Sequence, residues 1–358
     1  MFVETITQRD LWNTTLRALP YAHILQTWEW GEFKHATTGW QPARLAFRRE
    51  ETGAIVAMAS ILARSIGPLT VLYVPKGPAL AYADTTLAVE VLTVLEQLAR
   101  RRRSVWLKID PDVIAGTGVP GEPGETTDAA GQTMRQNLIE RGWRFSADQP
   151  QFRNTITLDL TLDEAELLAQ MSQNTRRKVR AAEKQGVTVR AATPEDLPTL
   201  YNLYQVTGER DHFLTRPPEY YAQAWRDFMQ AGLAHALIAE VAGQALAQVI
   251  LFHFGRKCWY FYGASANEER QRMPNYALQW EAMRWAKTQG YAVYDMWGAP
   301  NEFVETDSLW GVYQFKRGFR GTVTRHIGAW DYAPHSLLYQ GYTRLWPRIL
   351  AWLRRSAK

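Results

Sequence analysis

The sequence predicts an α+β chain of two tandem domains, each a mixed sheet flanked by helices. Three observations predict it. The 358 residues suffice for two cores, and 46% hydrophobic with 22% charged residues is the composition of an ordinary globular chain. Apolar runs of strand length alternate with helical patterns along the chain. One order of elements also occurs twice: Gln41 to Asp110 reads hairpin, strand, turn, helix, strand, and His235 to Asp295 reads the same way. The step from Tyr73 to Lys108, like that from Tyr260 to Asp295, is about 35 residues, the size of one strand–helix–strand unit.

In chain order, Asp10 to Leu19 reads as a helix, and Gln26 to Phe33 opens a second with Lys34 at its polar edge. Gln41 to Phe47 and Ala54 to Ala63 form a hairpin around the polar turn Arg48 to Gly53. Leu69 to Pro75 is a strand. Thr85 to Arg103 is a helix with Leu87, Val91, Val94, Leu95 and Leu98 on one face. Its last turn, Arg100 to Arg103, complements the helix dipole. Val105 to Ile109 is a strand closing at Asp110. Ile114 to Gly131, rich in Gly, Pro and Thr, predicts a surface loop, and Thr133 to Arg141 a short helix. Thr155 to Leu160 is a strand at the crossing between domains. Thr161 to Gln185 predicts one long helix, capped by Thr161 with Glu164.

Further on, Val187 to Ala191 is a strand, and Asp196 to Arg210 and Pro218 to Ala231 are helices. His235 to Val241, Ala245 to Phe254 and Lys257 to Tyr262 are strands. Pro274 to Gln289 is a helix with proline in its first turn and Gly290 past its end. Tyr291 to Trp297 and Val323 to Trp330 are strands, and Ser336 to Arg355 is a basic, aromatic helix. The first domain is thus placed at 1–154, completed by 323–358, and the second at 155–322. A hairpin feeding a strand, a helix and a last strand is the order of an N-acetyltransferase-like (GNAT) core, a fold analogy that decides no function.

Several function classes are excluded. The one cysteine, Cys258, permits neither an internal disulfide nor a cysteine zinc site and suits a reducing cytoplasm. No signal peptide or membrane span is expected. The net charge of +5 implies an anionic partner. A CoA pyrophosphate needs backbone amides at a glycine-rich turn, yet Arg270 to Asn275 has no glycine and Pro274 removes an amide. The equivalent turn of the first repeat, Ala81 to Asp84, lacks glycine too. CoA is therefore not expected. A phosphate-binding P-loop, a metalloprotease motif and a nucleophile elbow are absent as well, so no metal or cofactor is expected. Lys316, amid Trp310, Tyr313, Phe315 and Phe319, reads either as a surface lysine whose neighbours fill a core or as a partly desolvated cation suited to a developing negative charge.

Four stretches together resemble the FemABX family, the tRNA-dependent aminoacyltransferases that build peptidoglycan cross-bridges. They are Gln26-Thr-Trp-Glu-Trp-Gly31 with Lys34, Asn174-Thr-Arg-Arg-Lys-Val-Arg180 leading to Gly186-Val, Tyr260-Phe-Tyr-Gly-Ala-Ser265, and Phe315-Lys316 with Phe319. The chain looks like the compact, FemX-like members, with two GNAT-like domains and no coiled-coil arm. The resemblance implies transfer of an amino acid from aminoacyl-tRNA to a stem-peptide amine of lipid II or UDP-MurNAc-pentapeptide.

By the same resemblance, Lys316 stabilises the oxyanion and leaving group, Phe315 shapes the site for the tRNA end, and Asp110 takes the proton of the amine. A loop-capping aspartate reads equally well there. Lys34, Arg216, Tyr220 and Tyr262 would hold the precursor, its diphosphate above all. Arg210 competes with Arg216 for that alignment. The basic face at Arg176, Arg177, Lys178 and Arg180 would meet tRNA phosphates, or is a solvated helix face. The implied protein is a cytoplasmic monomer, and the Ser336 to Arg355 helix either packs its apolar face back on the first domain or makes peripheral contact at the inner face of the plasma membrane. Two alternatives stay open: another N-acyltransferase of this fold, and a non-enzymatic protein that binds tRNA or wall precursor.

Overall fold

The computed structural model describes residues 1–211, 213 and 215–343. Most of the expected Ser336 to Arg355 helix lies outside them. The chain divides into two compact units: Met1–Ala115 with Thr127–Gln151 and His326–Lys358, and Gly116–Thr126 with Phe152–Arg325.

In the first unit the hairpin pairs Gln41–Arg48 with Ile55–Ile66, and the strand Leu69–Val74 adds to it antiparallel. The next neighbour, Ser104–Ile109, is parallel, with Tyr73 opposite Lys108. A parallel neighbour requires a crossover, here the helix Thr85–Arg101. Asp84 caps it by accepting from Leu87 N at 2.9 Å. Leu87, Val91, Leu95 and Ala99 recur every fourth residue and bury one stripe against the sheet. Arg100 of its last turn donates to the Tyr332 hydroxyl at 2.8 Å. Trp330–Tyr332 then pairs antiparallel with Ser104–Ile109.

The second unit repeats the plan. Ala234–Val241, Gln244–Phe254 and Lys257–Ser265 run antiparallel, and the helix Pro274–Thr288 crosses to the parallel strand Val293–Asp295. Trp259 stands opposite Asp295, so the repeat read from the sequence is nearly in register with that of the first unit. Parallel pairing in the second unit spans only Lys257↔Val293 to Trp259↔Asp295, while the longer strand continues to Ser265. The two strands therefore part at their carboxyl ends. On its other side Val293–Asp295 pairs with Asn154–Asp159, which in turn pairs with Thr322–His326.

Three expectations are corrected. Ile114 to Gly131 is not all loop: Ile114–Thr117 and Thr126–Thr127 are strands, and the following helix starts at Ala129. Its glycine content reflects close backbone approach, since a Cβ on Gly116 would stand 2.1 Å from the Thr126 carbonyl oxygen. The expected helix Thr161 to Gln185 is two, Glu164–Gln170 and Gln173–Lys184. Asp163 and Glu166 form the capping box of the first, while Thr161 is held by Asp159; Ser172 caps the second. The expected strand Val323 to Trp330 is also two, Thr322–His326 and Trp330–Tyr332, in different sheets.

Gly131 gives a test of this packing. It lies inside the helix Ala129–Glu140, where alanine ordinarily stabilises. Here a Cβ would stand 2.0 Å from the Ile114 carbonyl oxygen. Gly131→Ala is expected to lower stability by about 1–3 kcal/mol. Chemical denaturation measures it, and a rise in midpoint would contradict the packing.

Candidate active site

The gap between the parting strands is filled by Lys316. It ends the helix Trp310–Lys316 and is 5% exposed. Its ammonium donates to the carbonyls of Trp297 and Gly298, the latter at 2.7 Å. The Tyr260 ring centroid lies 5.5 Å away. The aromatic neighbours expected from the sequence instead pack among themselves: Phe315 meets Phe319 at 5.4 Å and Tyr276 at 5.1 Å.

The receiving turn is built for this contact. Trp297 and Gly298 both have positive φ, 52° and 55°, consecutive left-handed residues that follow the end of the strand. Asp295 fixes the turn by accepting from Trp297 N at 2.8 Å and from the Thr155 hydroxyl. Burial holds the Lys316 amine down at about 7, while Asp295 pulls it the other way. An ammonium has three donors, and two are used. In the protonated form the third remains for a ligand oxygen that gains negative charge.

Tyr260 and Tyr262 sit on different faces of their strand. The register shifts between Ile250 and Leu251, so Phe261 is an extra residue in the Lys257–Ser265 strand. Tyr260 therefore accompanies Leu251 on the Lys316 side, and Tyr262 accompanies Ile250. Tyr262 meets Tyr221 at 6.0 Å and Trp225 at 5.7 Å, edge to face. Arg216 lies 4.8 Å over Tyr220, which itself packs on Tyr221 at 5.4 Å. The structure thus gathers Arg216, Tyr220 and Tyr262 around one aromatic cluster. Burial pushes the Tyr220 hydroxyl up to about 12 against the pull of Arg216. Arg216 is exposed. Its competitor Arg210 is tied down, donating to the Ser265 carbonyl at 2.9 Å and to Asp211 at 2.9 Å.

Of the basic face, Arg177 and Arg180 are exposed. Arg176 donates to the carbonyls of Ala169 and Met171, and Lys178 to the Tyr276 hydroxyl at 3.0 Å.

The first unit holds a buried charged chain. Asp110 is 1% exposed and accepts from the Tyr73 hydroxyl at 3.1 Å. Lys76 stands 3.8 Å from Asp110 and 3.9 Å from Asp112, and His326 stands 3.3 Å from Asp112. Burial raises the Asp110 carboxyl to about 6, with Lys76 and the Tyr73 hydroxyl pulling it back. Tyr73, Lys76, Asp112 and His326 had no mark as site residues in the sequence. The only hint was Pro75-Lys-Gly-Pro78 at a strand end. Gln26 supports that turn: its amide donates to the Pro75 carbonyl at 2.6 Å and accepts from Ser60 N at 2.8 Å. A Cβ on Gly77 would stand 2.6 Å from the Gln26 side chain. Lys34, on the helix Trp28–Thr38, is half-buried 4.8 Å over the Trp30 ring.

The buried lysine predicts a pH signature. Between about pH 7 and pH 10 the unfolded chain keeps the Lys316 proton that the folded chain has shed, so this residue makes the fold gain stability as pH rises. Lys316→Met abolishes that gain. The difference in Tm, variant minus parent, is expected to be larger at pH 7 than at pH 10. A constant difference across that range would mean that Lys316 is not desolvated.

Comparison with known proteins agrees with this architecture. The FemAB family model matches residues 12–244 and 234–345. The lipid II:glycine glycyltransferase of Staphylococcus saprophyticus is 26% identical over 93% of this chain and 94% of its own length. That of Staphylococcus aureus is 26% identical over 93% of each. A crystal structure of FemX superposes with a TM-score of 0.82 at 24% identity, covering 95% of this chain and 99% of the other. A tandem GNAT protein from the clavulanic acid biosynthesis pathway superposes at 0.54 with 12% identity, covering 93% and 99%. The fold is therefore two tandem GNAT-like domains. Among the described residues no helix is long and apolar enough to cross a membrane. With the family model matched along nearly its whole length, the chain belongs to the FemAB family.

Proposed function

We propose that this chain is an aminoacyltransferase that takes an amino acid from aminoacyl-tRNA and adds it to a stem-peptide amine of a peptidoglycan precursor. The observation that carries the reading is Lys316: a buried ammonium, oriented by two carbonyls, with one donor left over. The name lipid II:glycine glycyltransferase, borne by relatives that cover 93% of the chain, supports bridge synthesis as the setting.

An aminoacyl ester is already activated, so alignment and charge stabilisation suffice. The amine nitrogen attacks the ester carbonyl, a C–N bond forms and the carbonyl electrons move to oxygen. The free N–H of Lys316 donates to that oxygen. Collapse breaks the bond to the ribose oxygen, which leaves with the proton shed by the amine. Arg216, with Tyr220 and Tyr262, is assigned to the anionic part of the acceptor. In the first unit Lys34 is assigned to negative charge on the precursor. CoA has no place in this scheme. The helix Pro274–Thr288 begins on a proline preceded by the left-handed Met273, and its first turn presents no glycine loop to a pyrophosphate.

A transfer assay offering several charged tRNAs to a lysine-containing precursor, read by mass, tests the reading; no added mass with any of them overturns it. Lys316→Met keeps the apolar stem and removes the charge. Its turnover is expected to fall about 100- to 1000-fold, with much less change in precursor affinity. Near-parent turnover would remove Lys316 from the chemistry. Arg216→Ala and Lys34→Ala are each expected to weaken binding of the intact precursor, less so at high salt. A peptide fragment without the diphosphate should not distinguish either from the parent. Equal losses with both ligands would assign these residues to folding.

A further inference from the structure

Lys316 is aimed by the carbonyls of Trp297 and Gly298, and both of those residues are left-handed, with φ of 52° and 55°. Glycine adopts that conformation readily. A bulky tryptophan does so at a cost and persists there only where its surroundings over-determine it. Asp295 accepts from the Trp297 amide at 2.8 Å, which fixes the amide side of the residue. The direction of its carbonyl depends also on where the indole is held.

The indole ends a column of stacked rings. Phe228, on the helix Pro218–Gln230, stacks on Phe252 with centroids 4.6 Å apart and planes within 9°. Phe252 stacks on Phe261 at 4.8 Å, and Phe261 on Trp297 at 4.9 Å, each pair inclined by 23°. Phe228 and Phe252 are fully buried, so the base of the column is fixed by close packing. Phe261 is the extra residue of the strand bulge, and bulges re-aim side chains and recur beside active sites. Phe152 meets the same turn from another direction. Its ring stands nearly perpendicular to the Trp297 indole at 6.1 Å, and a Cβ on Gly298 would lie 3.1 Å from it. Neither phenylalanine has a polar atom to offer a reaction. What these rings control is where the two carbonyls point.

We propose that Phe261 and Phe152 are positioning residues for Lys316: they clamp the Trp297–Gly298 turn so that its carbonyls keep the ammonium, and with it the remaining N–H, in one direction. The column transmits that direction from the packed interior, through Phe228 and Phe252, to a side chain that none of these four rings replaces in the chemistry. A small displacement suffices to matter, since a misplacement of about 1 Å costs about 100-fold in rate. The inference rests on the reading of Lys316 as donor to the oxyanion and adds what aims that donor.

The test compares full-length Phe261→Leu, Phe261→Tyr and Phe152→Leu with the parent. Phe145→Leu is the control, since Phe145 makes a similar perpendicular contact with Trp330 in the first unit. Amide hydrogen exchange, read by mass spectrometry, reports the turn without any substrate. The Trp297 amide is expected to exchange about tenfold faster in both turn-facing Leu variants, with the amides of the Gln244–Phe254 strand unchanged. Transfer to the lysine-containing precursor is then measured. Turnover is expected to fall about tenfold or more in the same two variants, while the KM for precursor stays at the parent value. Phe261→Tyr keeps the ring and is expected to restore both readouts, and Phe145→Leu to change neither.

Unchanged exchange at Trp297 overturns the clamp. Exchange that quickens by one factor throughout the second unit overturns it too, because the rings then serve only the stability of the fold. Parent-level turnover from a loosened turn, or a loss confined to KM, overturns the positioning role. Should Phe261→Leu not fold, Phe152→Leu carries the test, since its ring is 42% exposed. A parent that transfers nothing to the precursor overturns the aminoacyltransferase reading, whereas a transferring parent matched by both Leu variants overturns only this inference.

Discussion

The second unit depends on the early end of one parallel strand pair. Three residues of Val293–Asp295 pair with Lys257–Trp259, and then the backbone turns away. Asp295 stabilises that turn by accepting from the Trp297 amide and the Thr155 hydroxyl. Without this acceptor, a buried amide would lose its partner at a cost of about 1–3 kcal/mol, and the left-handed pair Trp297 and Gly298 would lose its anchor. The carbonyls that receive Lys316 would then be misdirected. A strand that stops short, an aspartate at its end and a lysine from a later helix thus act as one device.

The first unit carries the same repeat with a different outcome. Its parallel pair runs from Thr70↔Ser104 to Val74↔Ile109, longer than that of the second unit. It too ends at a buried aspartate, Asp110. Here the neighbouring lysine, Lys76, comes from the strand end and not from a later helix, and Asp112 and His326 extend the chain of charge. Gln26 occupies the space that Gly77 leaves open and so holds the turn bearing Lys76. The motif Gln26 to Gly31 is in this respect structural: its first residue supports the turn that bears the charged network.

Much of this was legible in the sequence. Tyr73 to Lys108 and Tyr260 to Asp295 marked the repeat, because crossover units have a fixed length and strongly periodic helices. What failed was local. Asp163 took the cap expected of Thr161, because Asp159 already holds Thr161. The glycines of Ile114 to Gly131 signalled a loop, whereas Gly116 and Gly131 mark close approach of backbones, which composition does not distinguish from flexibility. The bulge at Phe261 was equally hidden, and it decides that Tyr260 and Tyr262 serve opposite faces. Among the candidate residues, Lys316, Phe315 and Arg216 were marked by motif, while the buried Lys76 of the first unit was not, since burial of a lysine is a tertiary fact.

The two buried lysines show why environment decides role. Lys76 lies between two carboxylates, Asp110 and Asp112, each within 4 Å. Its charge is balanced where it stands, and its attraction for a further anion is largely spent. Lys316 is held by carbonyl dipoles, and among the described residues no carboxylate stands at ion-pair distance from it. Dipoles orient an ammonium without neutralising it. The cost of that arrangement is visible in the amine held down at about 7. In the proposed reaction an oxyanion at the remaining N–H would supply the missing counter-charge, and the interaction that costs stability in the resting protein would become favourable as the transition state forms.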